Sequence, residues 1–69
     1  MPRRQRPTTL VDIHNIDRAA TLIRDAANFL REAGAHRAAL RVRLTLKSID
    51  GARRHACLRL YRTTREHQP

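Results

Sequence analysis

The chain has 69 residues, with fifteen Lys+Arg against six Asp+Glu and a formal net charge of +9. This length holds one small domain that buries only about 60% of the surface its unfolded form exposes, so a core made by one copy alone is thin. A single cysteine, Cys57, excludes an intrachain disulfide, and Tyr61 and Phe29 are the only aromatics, which leaves Leu, Ile, Val and Ala to build the core. The missing stabilisation is expected to come from a second copy or a partner. No apolar run approaches ~18 residues and no charged-then-apolar leader opens the chain, so a cytoplasmic protein without membrane contact is expected.

The charge is unevenly placed. Residues 1–9 carry Arg3, Arg4 and Arg6 beside Pro2 and Pro7, and read as a basic flexible arm. Residues 10–33 nearly balance, whereas residues 34–62 set Arg37, Arg41, Arg43, Lys47, Arg53, Arg54, Arg59 and Arg62 against Asp50 alone. Residues 63–69 cancel and read as a polar tail, which leaves 10–62 as the single domain.

The first element is a helix. Ile13, Ile16, Ala20, Ile23, Ala27 and Leu30 recur at steps of three and four, and Val11, Ala19, Leu22, Ala26 and Phe29 widen that face to an arc of roughly 200°. Thr9 with Asp12 offers a capping box, with Asp12 or Asn15 as caps for a shorter helix. Ala33-Gly34 supplies the stop. The helix is expected from about residue 10 to 33. Its arc is wider than one partner helix covers.

The second element supports two readings. As strands, Leu40, Val42, Leu44 and Leu46 alternate with polar residues, as do Ala56, Leu58 and Leu60, with Asp50-Gly51 placed for a turn between them. As a helix over 36–62, Ala35, Ala39, Val42, Leu46, Ile49, Ala56 and Leu60 fall at steps of three and four, and only Arg53 breaks the series. Ala38, Cys57 and Tyr61 join that stripe over ~140°. Few residues of 38–61 are β-branched, and an isolated two-stranded hairpin is marginal, which favours the helix. The fold expected is all-α: a helical hairpin that dimerises into a four-helix bundle. The alternative is α+β, one helix followed by a β-hairpin.

The stretch Val42 to Ala56, V-R-L-T-L-K-S-I-D-G-A-R-R-H-A, resembles a recurring segment V-R-x-x-L-K-S-x-x-G-A-x-R-H-A in small early-region proteins of temperate, Mu-like bacteriophages. Ala33-Gly34 and the helix before it occupy the matching places, so the resemblance covers about residues 19–57. This chain departs from the relatives at Ile49 and Asp50, where they often carry Ala and Glu. The resemblance implies a helical segment and a host-takeover role: a protein that binds and modulates or inhibits a host factor without chemistry.

No catalytic constellation is expected. Ser48 and His55 lack a carboxylate to orient the imidazole. His55 and Cys57, with His14 and His36 elsewhere, lack four-ligand zinc spacing. Gly34 and Gly51 form no phosphate-cradling loop. No enzyme activity, cofactor, metal or small-molecule substrate is therefore expected.

The cationic surface is the stronger signal. On a helix Arg41, His55, Arg59 and Arg62 share a ~60° sector, and Arg43, Lys47 and Arg54 cluster on another flank. Arg41, Arg43, Lys47, Arg54, Arg59 and Arg62 are thus candidate contacts to an anionic partner or nucleic acid, with the arm as a second contact. The competing reading is a merely solvated face. No helix-turn-helix pattern or aromatic stacking platform points to sequence-specific DNA or single-strand RNA binding. Leu40, Leu44 and Leu58 lie off the main stripe within ~40°, beside Gly51, and form a candidate interface with Leu22 and Phe29 of the first helix. The partners expected are a second copy and either a host protein or nucleic acid in the bacterial cytoplasm.

Overall fold

A computed structural model describes residues 7–66. It is an antiparallel pair of helices, α1 (Leu10–Glu32, 23 residues) and α2 (His36–Glu66, 31 residues), joined by a three-residue turn. The described residues are 90% helical and contain no strand. Arg3, Arg4 and Arg6 of the expected arm lie outside the described residues.

Local chemistry sets both ends of α1. The Thr9 N–H donates to Asp12 Oδ2 at 3.0 Å, and the Asp12 N–H donates to Thr9 Oγ1 at 3.3 Å, closing the expected capping box. Asp12 in the first turn and Arg31 in the last complement the helix dipole. At the other end Gly34 adopts φ +80°, the left-handed conformation that a Cβ would oppose. The Gly34 N–H donates to the Arg31 carbonyl at 3.0 Å and the Ala35 N–H to the Leu30 carbonyl at 2.8 Å. This is the double hydrogen bond of a Schellman turn, and it reverses the chain.

The β-hairpin alternative is not adopted. Asp50 and Gly51 lie inside α2, and Gly34 is the only described glycine with positive φ. A helical glycine costs about 1 kcal/mol relative to alanine. The hairpin would instead leave a two-stranded sheet beside one helix, which is the less stable arrangement. α2 also continues past residue 62, the boundary expected from periodicity. The Thr63 and Thr64 hydroxyls donate to the Arg59 and Leu60 carbonyls four residues back, at 2.9 Å each, so the polar side chains are satisfied inside the last turns.

The core is an alanine seam. Ala20, Ala27, Ala39 and Ala56 are buried, while Ile13, Ile16, Ile23, Leu30, Val42, Leu46, Ile49 and Leu60 are partly buried around them. Counting from the turn places Ala20 and Ala27 level with Ile49 and Val42. It likewise places Ala39 and Ala56 level with Leu30 and Ile13. Small therefore meets large along the seam, which lets the two backbones approach closely. Ala38 and Tyr61, expected on the buried stripe, are exposed, and Cys57 is partly buried.

The pair is long and thin. Its radius of gyration is 16.0 Å, against about 11 Å for a compact chain of this length. A two-helix layer can bury only one stripe of each helix, so Leu10, Val11, Leu22, Phe29, Leu40, Leu44, Leu58 and Tyr61 all remain largely exposed.

Candidate binding surfaces

Two cross-helix contacts orient the hairpin and define its two broad sides. On one side the Arg53 Nε–H donates to Asp17 Oδ1 at 2.6 Å, with both side chains about half exposed (49% and 48%). The Arg53 Nη1 also lies 3.8 Å from Cys57 Sγ. The hydrogen bond that Arg53 donates to Asp17, with the negative charge of that carboxylate, holds the Arg53 pKa above the ordinary arginine value. On the other side the Arg59 Nε–H donates to Thr8 Oγ1 at 3.0 Å, which brings the segment before α1 against the far half of α2.

Arg53 was the one residue that interrupted the apolar series of α2. It stands at a core position and reaches outward to the opposite helix, so the interruption is a cross-helix tie. Half-exposed pairs of this kind add little stability. Its consequence is register: Asp17 of α1 stands level with Arg53 of α2.

The candidate interface residues do not form one patch. Leu40, Leu44 and Leu58 are 60%, 53% and 48% exposed, and at 100° per residue their mean direction lies roughly 170° from the core stripe of α2. They point away from α1. Leu22 and Phe29 are likewise exposed, with Val11, at roughly 140° from the core stripe of α1. The hairpin thus carries an apolar strip on each outer edge.

The candidate cations bracket the leucine strip of α2. Arg43, Lys47 and Arg54 run along one flank and Arg41 and Arg62 along the other, all of them exposed. Arg59 is the one member of the predicted set with a side-chain partner, Thr8. The side chains of Arg41, Arg43, Lys47, Arg54 and Arg62 make no hydrogen bond or ion pair among the described residues.

The two broad sides differ. At 100° per residue, the side marked by the Thr8–Arg59 bond presents Ala19 and Ala26 of α1 with Thr45 and Ala52 of α2, all small residues. The side marked by the Asp17–Arg53 pair is polar, and holds a cleft lined by Arg24, Ala27, Asn28, Arg43 and Leu46. Nothing in the sequence of α1 alone places Arg24 and Asn28 beside Arg43. Only the register of the hairpin does.

Among the described residues no helix is long and apolar enough to cross a membrane, and no group of three or more His, Cys, Asp or Glu side chains is arranged to hold a metal ion. Comparison with known protein families, curated protein sequences and solved structures finds no match, and so nothing that links the chain to the phage proteins its Val42–Ala56 stretch resembles.

Proposed function

We propose that the protein is a small, basic, non-enzymatic binding protein of bacteriophage type that modulates or inhibits a host factor by direct contact, and that the outer face of α2 makes the contact. The observation that carries this reading is the strip Leu40, Leu44 and Leu58, exposed and bracketed on both flanks by cations. An apolar strip between charged bands suits a partner surface whose apolar groove is rimmed by carboxylates. The same strip on a second copy is a poor match, because it would bring two sets of cations together. The host factor is therefore an acidic protein, and the encounter takes place in the bacterial cytoplasm.

The homodimer in this reading uses a different surface. A four-helix bundle asks each helix for a second apolar face about a quarter-turn from the first. Ala19 and Ala26 of α1 lie about 80° from its core stripe, and Thr45 and Ala52 occupy the corresponding place on α2. Two copies stacked on these sides would cover the small residues, with Leu22 and Phe29 closing one edge. The leucine strip of α2 would stay free for the host protein.

The test is retention of host protein by the tagged full chain from nuclease-treated bacterial lysate, beside the Leu40→Ser/Leu44→Ser variant. One acidic protein held by the wild type at moderate salt and lost by the variant is the expected result. Equal retention by both chains would defeat the reading.

A second reading, a nucleic-acid-binding accessory protein, draws on the unpartnered Arg41, Arg43, Lys47, Arg54 and Arg62. Its mark is binding that ignores sequence and collapses between about 50 and 200 mM salt.

A further inference from the structure

We propose that the cleft between α1 and α2 on the Asp17–Arg53 side is a binding site for a phosphate-class oxyanion, held by Arg24 and Arg43 with Asn28. The cleft has a volume of about 180 Å³ and is lined by Arg24, Ala27, Asn28, Arg43 and Leu46. Its cations come from both helices. The register that sets Asp17 level with Arg53 brings residues 24–28 level with 42–46, so Arg24 and Arg43 face one space.

Three features point to an anion. First, neither guanidinium makes a hydrogen bond or ion pair with a described residue, and no carboxylate lines the cleft. Two like charges across one opening repel, and nothing in the lining offsets that. Second, the carboxylate on the same side of α1, Asp17, lies two turns before Arg24 and is engaged by Arg53. Third, the floor is apolar: Ala27 is 1% exposed and Leu46 partly buried. Water is thereby excluded from one side of the charges, which strengthens their attraction for a bound anion.

The donor set fits phosphate oxygens. Each guanidinium presents a planar fork of N–H donors that engages two oxygens at once, and the Asn28 amide adds a further N–H pair. A tetrahedral group with three or four oxygens can meet donors arriving from two helices. A carboxylate has only two oxygens, both in one plane, and so matches donors arriving from two helices less fully. Free phosphate and the phosphodiester of nucleic acid share this chemistry. The site shares Arg43 with one cationic flank of the leucine strip, but Arg24 and Asn28 belong to α1 and take no part in that strip, so Arg24→Gln separates its fate from that of the host-contact reading.

The experiment is a titration of the full chain with inorganic phosphate at constant ionic strength, followed by heteronuclear NMR. Saturable shifts confined to Arg24, Asn28, Arg43 and Leu46 are expected. Arg24→Gln and Arg43→Gln should each weaken binding about tenfold, the loss of one charge-assisted contact, while Arg37→Gln on the exposed first turn of α2 leaves it unchanged. Circular dichroism checks that each variant keeps its helix content, and Arg24→Lys, which retains charge without the fork, should fall between wild type and Arg24→Gln. Shifts spread without saturation over all the arginines, or wild-type affinity in both glutamine variants, would overturn the site. A short DNA duplex then distinguishes the source. If the site takes a backbone phosphate, each glutamine variant lowers the salt slope of duplex binding by about one. If the slope holds while phosphate binding is lost, the ligand is a free phosphate.

Discussion

α1 and α2 reach the same helical state by different means. α1 is locally complete: a capping box opens it, a Schellman turn closes it, and its charges nearly cancel. α2 is longer and opens after Ala35, which has no side-chain oxygen to serve as a cap. Its first turn holds His36 and Arg37 and no acidic residue, against the preference of the helix dipole for negative charge there. It also carries Gly51 near its middle and a band of cations along each side of its leucine strip. What α2 lacks locally it draws from α1 through the alanine seam, with the Arg53–Asp17 tie setting the register. The contrast teaches that α2 is a helix made by tertiary packing, whose outer face is left free to carry leucines and arginines that add nothing to folding.

The largest expected effect comes from breaking the seam itself. Ala27→Leu and Ala56→Leu place extra methyl groups where the wild-type side chains are each 1% exposed, and overpacking of this kind costs ~1–3 kcal/mol. A thin two-helix core cannot absorb much of that, so thermal melts followed by circular dichroism should shift sharply downward for both. Ala19→Leu, on the exposed side of α1, is the matched control and should leave the melt nearly unchanged unless that side is covered by a second copy. Sedimentation at several concentrations tells these cases apart. Equal melts for Ala27→Leu and Ala19→Leu would mean that the seam is not the core.

Removing the cap sharpens the comparison from the side of α1. Thr9→Ala removes the Oγ1 that accepts from the Asp12 N–H, while the backbone N–H of residue 9 can still donate to Asp12 Oδ2, and should cost about 1 kcal/mol. Hydrogen exchange should then rise through the first turns of α1 and leave α2 little changed. A loss spread evenly over both helices would contradict the claim that α1 is stabilised locally.

Gly51→Ala runs in the opposite direction. Nothing lies within 4 Å of a Cβ built at Gly51, and its backbone is helical. Alanine should therefore stabilise α2 by up to ~1 kcal/mol, or about 4–8 °C in the midpoint of a 60–100-residue domain. An unchanged or lowered midpoint would show that this glycine is needed for close approach by something outside the hairpin.

The legible and illegible parts of the sequence divide along the same line. The ends of α1 could be read because caps are local: Thr9, Asp12 and Gly34 act on neighbours within a few residues. The apolar stripe of α2 could be read as well, since periodicity is a property of one helix. Asp50-Gly51 stayed ambiguous because turn chemistry and helix propensity both act locally there, and long-range packing decided between them. Arg53 looked like a defect because its partner, Asp17, lies thirty-six residues away. The Arg24–Arg43 cleft was invisible for the same reason. A helical wheel gives directions around one axis, and two wheels share a frame only after the register between the helices is known.

The smallest effect on folding, and the most informative for function, is expected at the leucine strip. Leu40 and Leu44 are more than half exposed and point away from α1, so replacing both with Ser removes almost no burial within the hairpin. Surface changes of this sort fall within about ±0.5 kcal/mol each, and helix content and midpoint should hold. The Arg41→Glu/Arg62→Glu pair is the electrostatic counterpart. It is preferred to a pair that includes Arg59, whose Nε–H donates to Thr8, because charge reversal there would also disturb the segment before α1. If the outer face of α2 contacts an acidic protein through its apolar strip, the serine pair should weaken binding at all salt concentrations. The glutamate pair should weaken it most at low salt, where screening is least. If the partner is nucleic acid, the order reverses: the glutamate pair abolishes binding and the serine pair leaves it nearly intact. Full binding by both variants would remove the outer face of α2 from the functional account and leave the alanine side and the arginine cleft as the surfaces through which the chain acts.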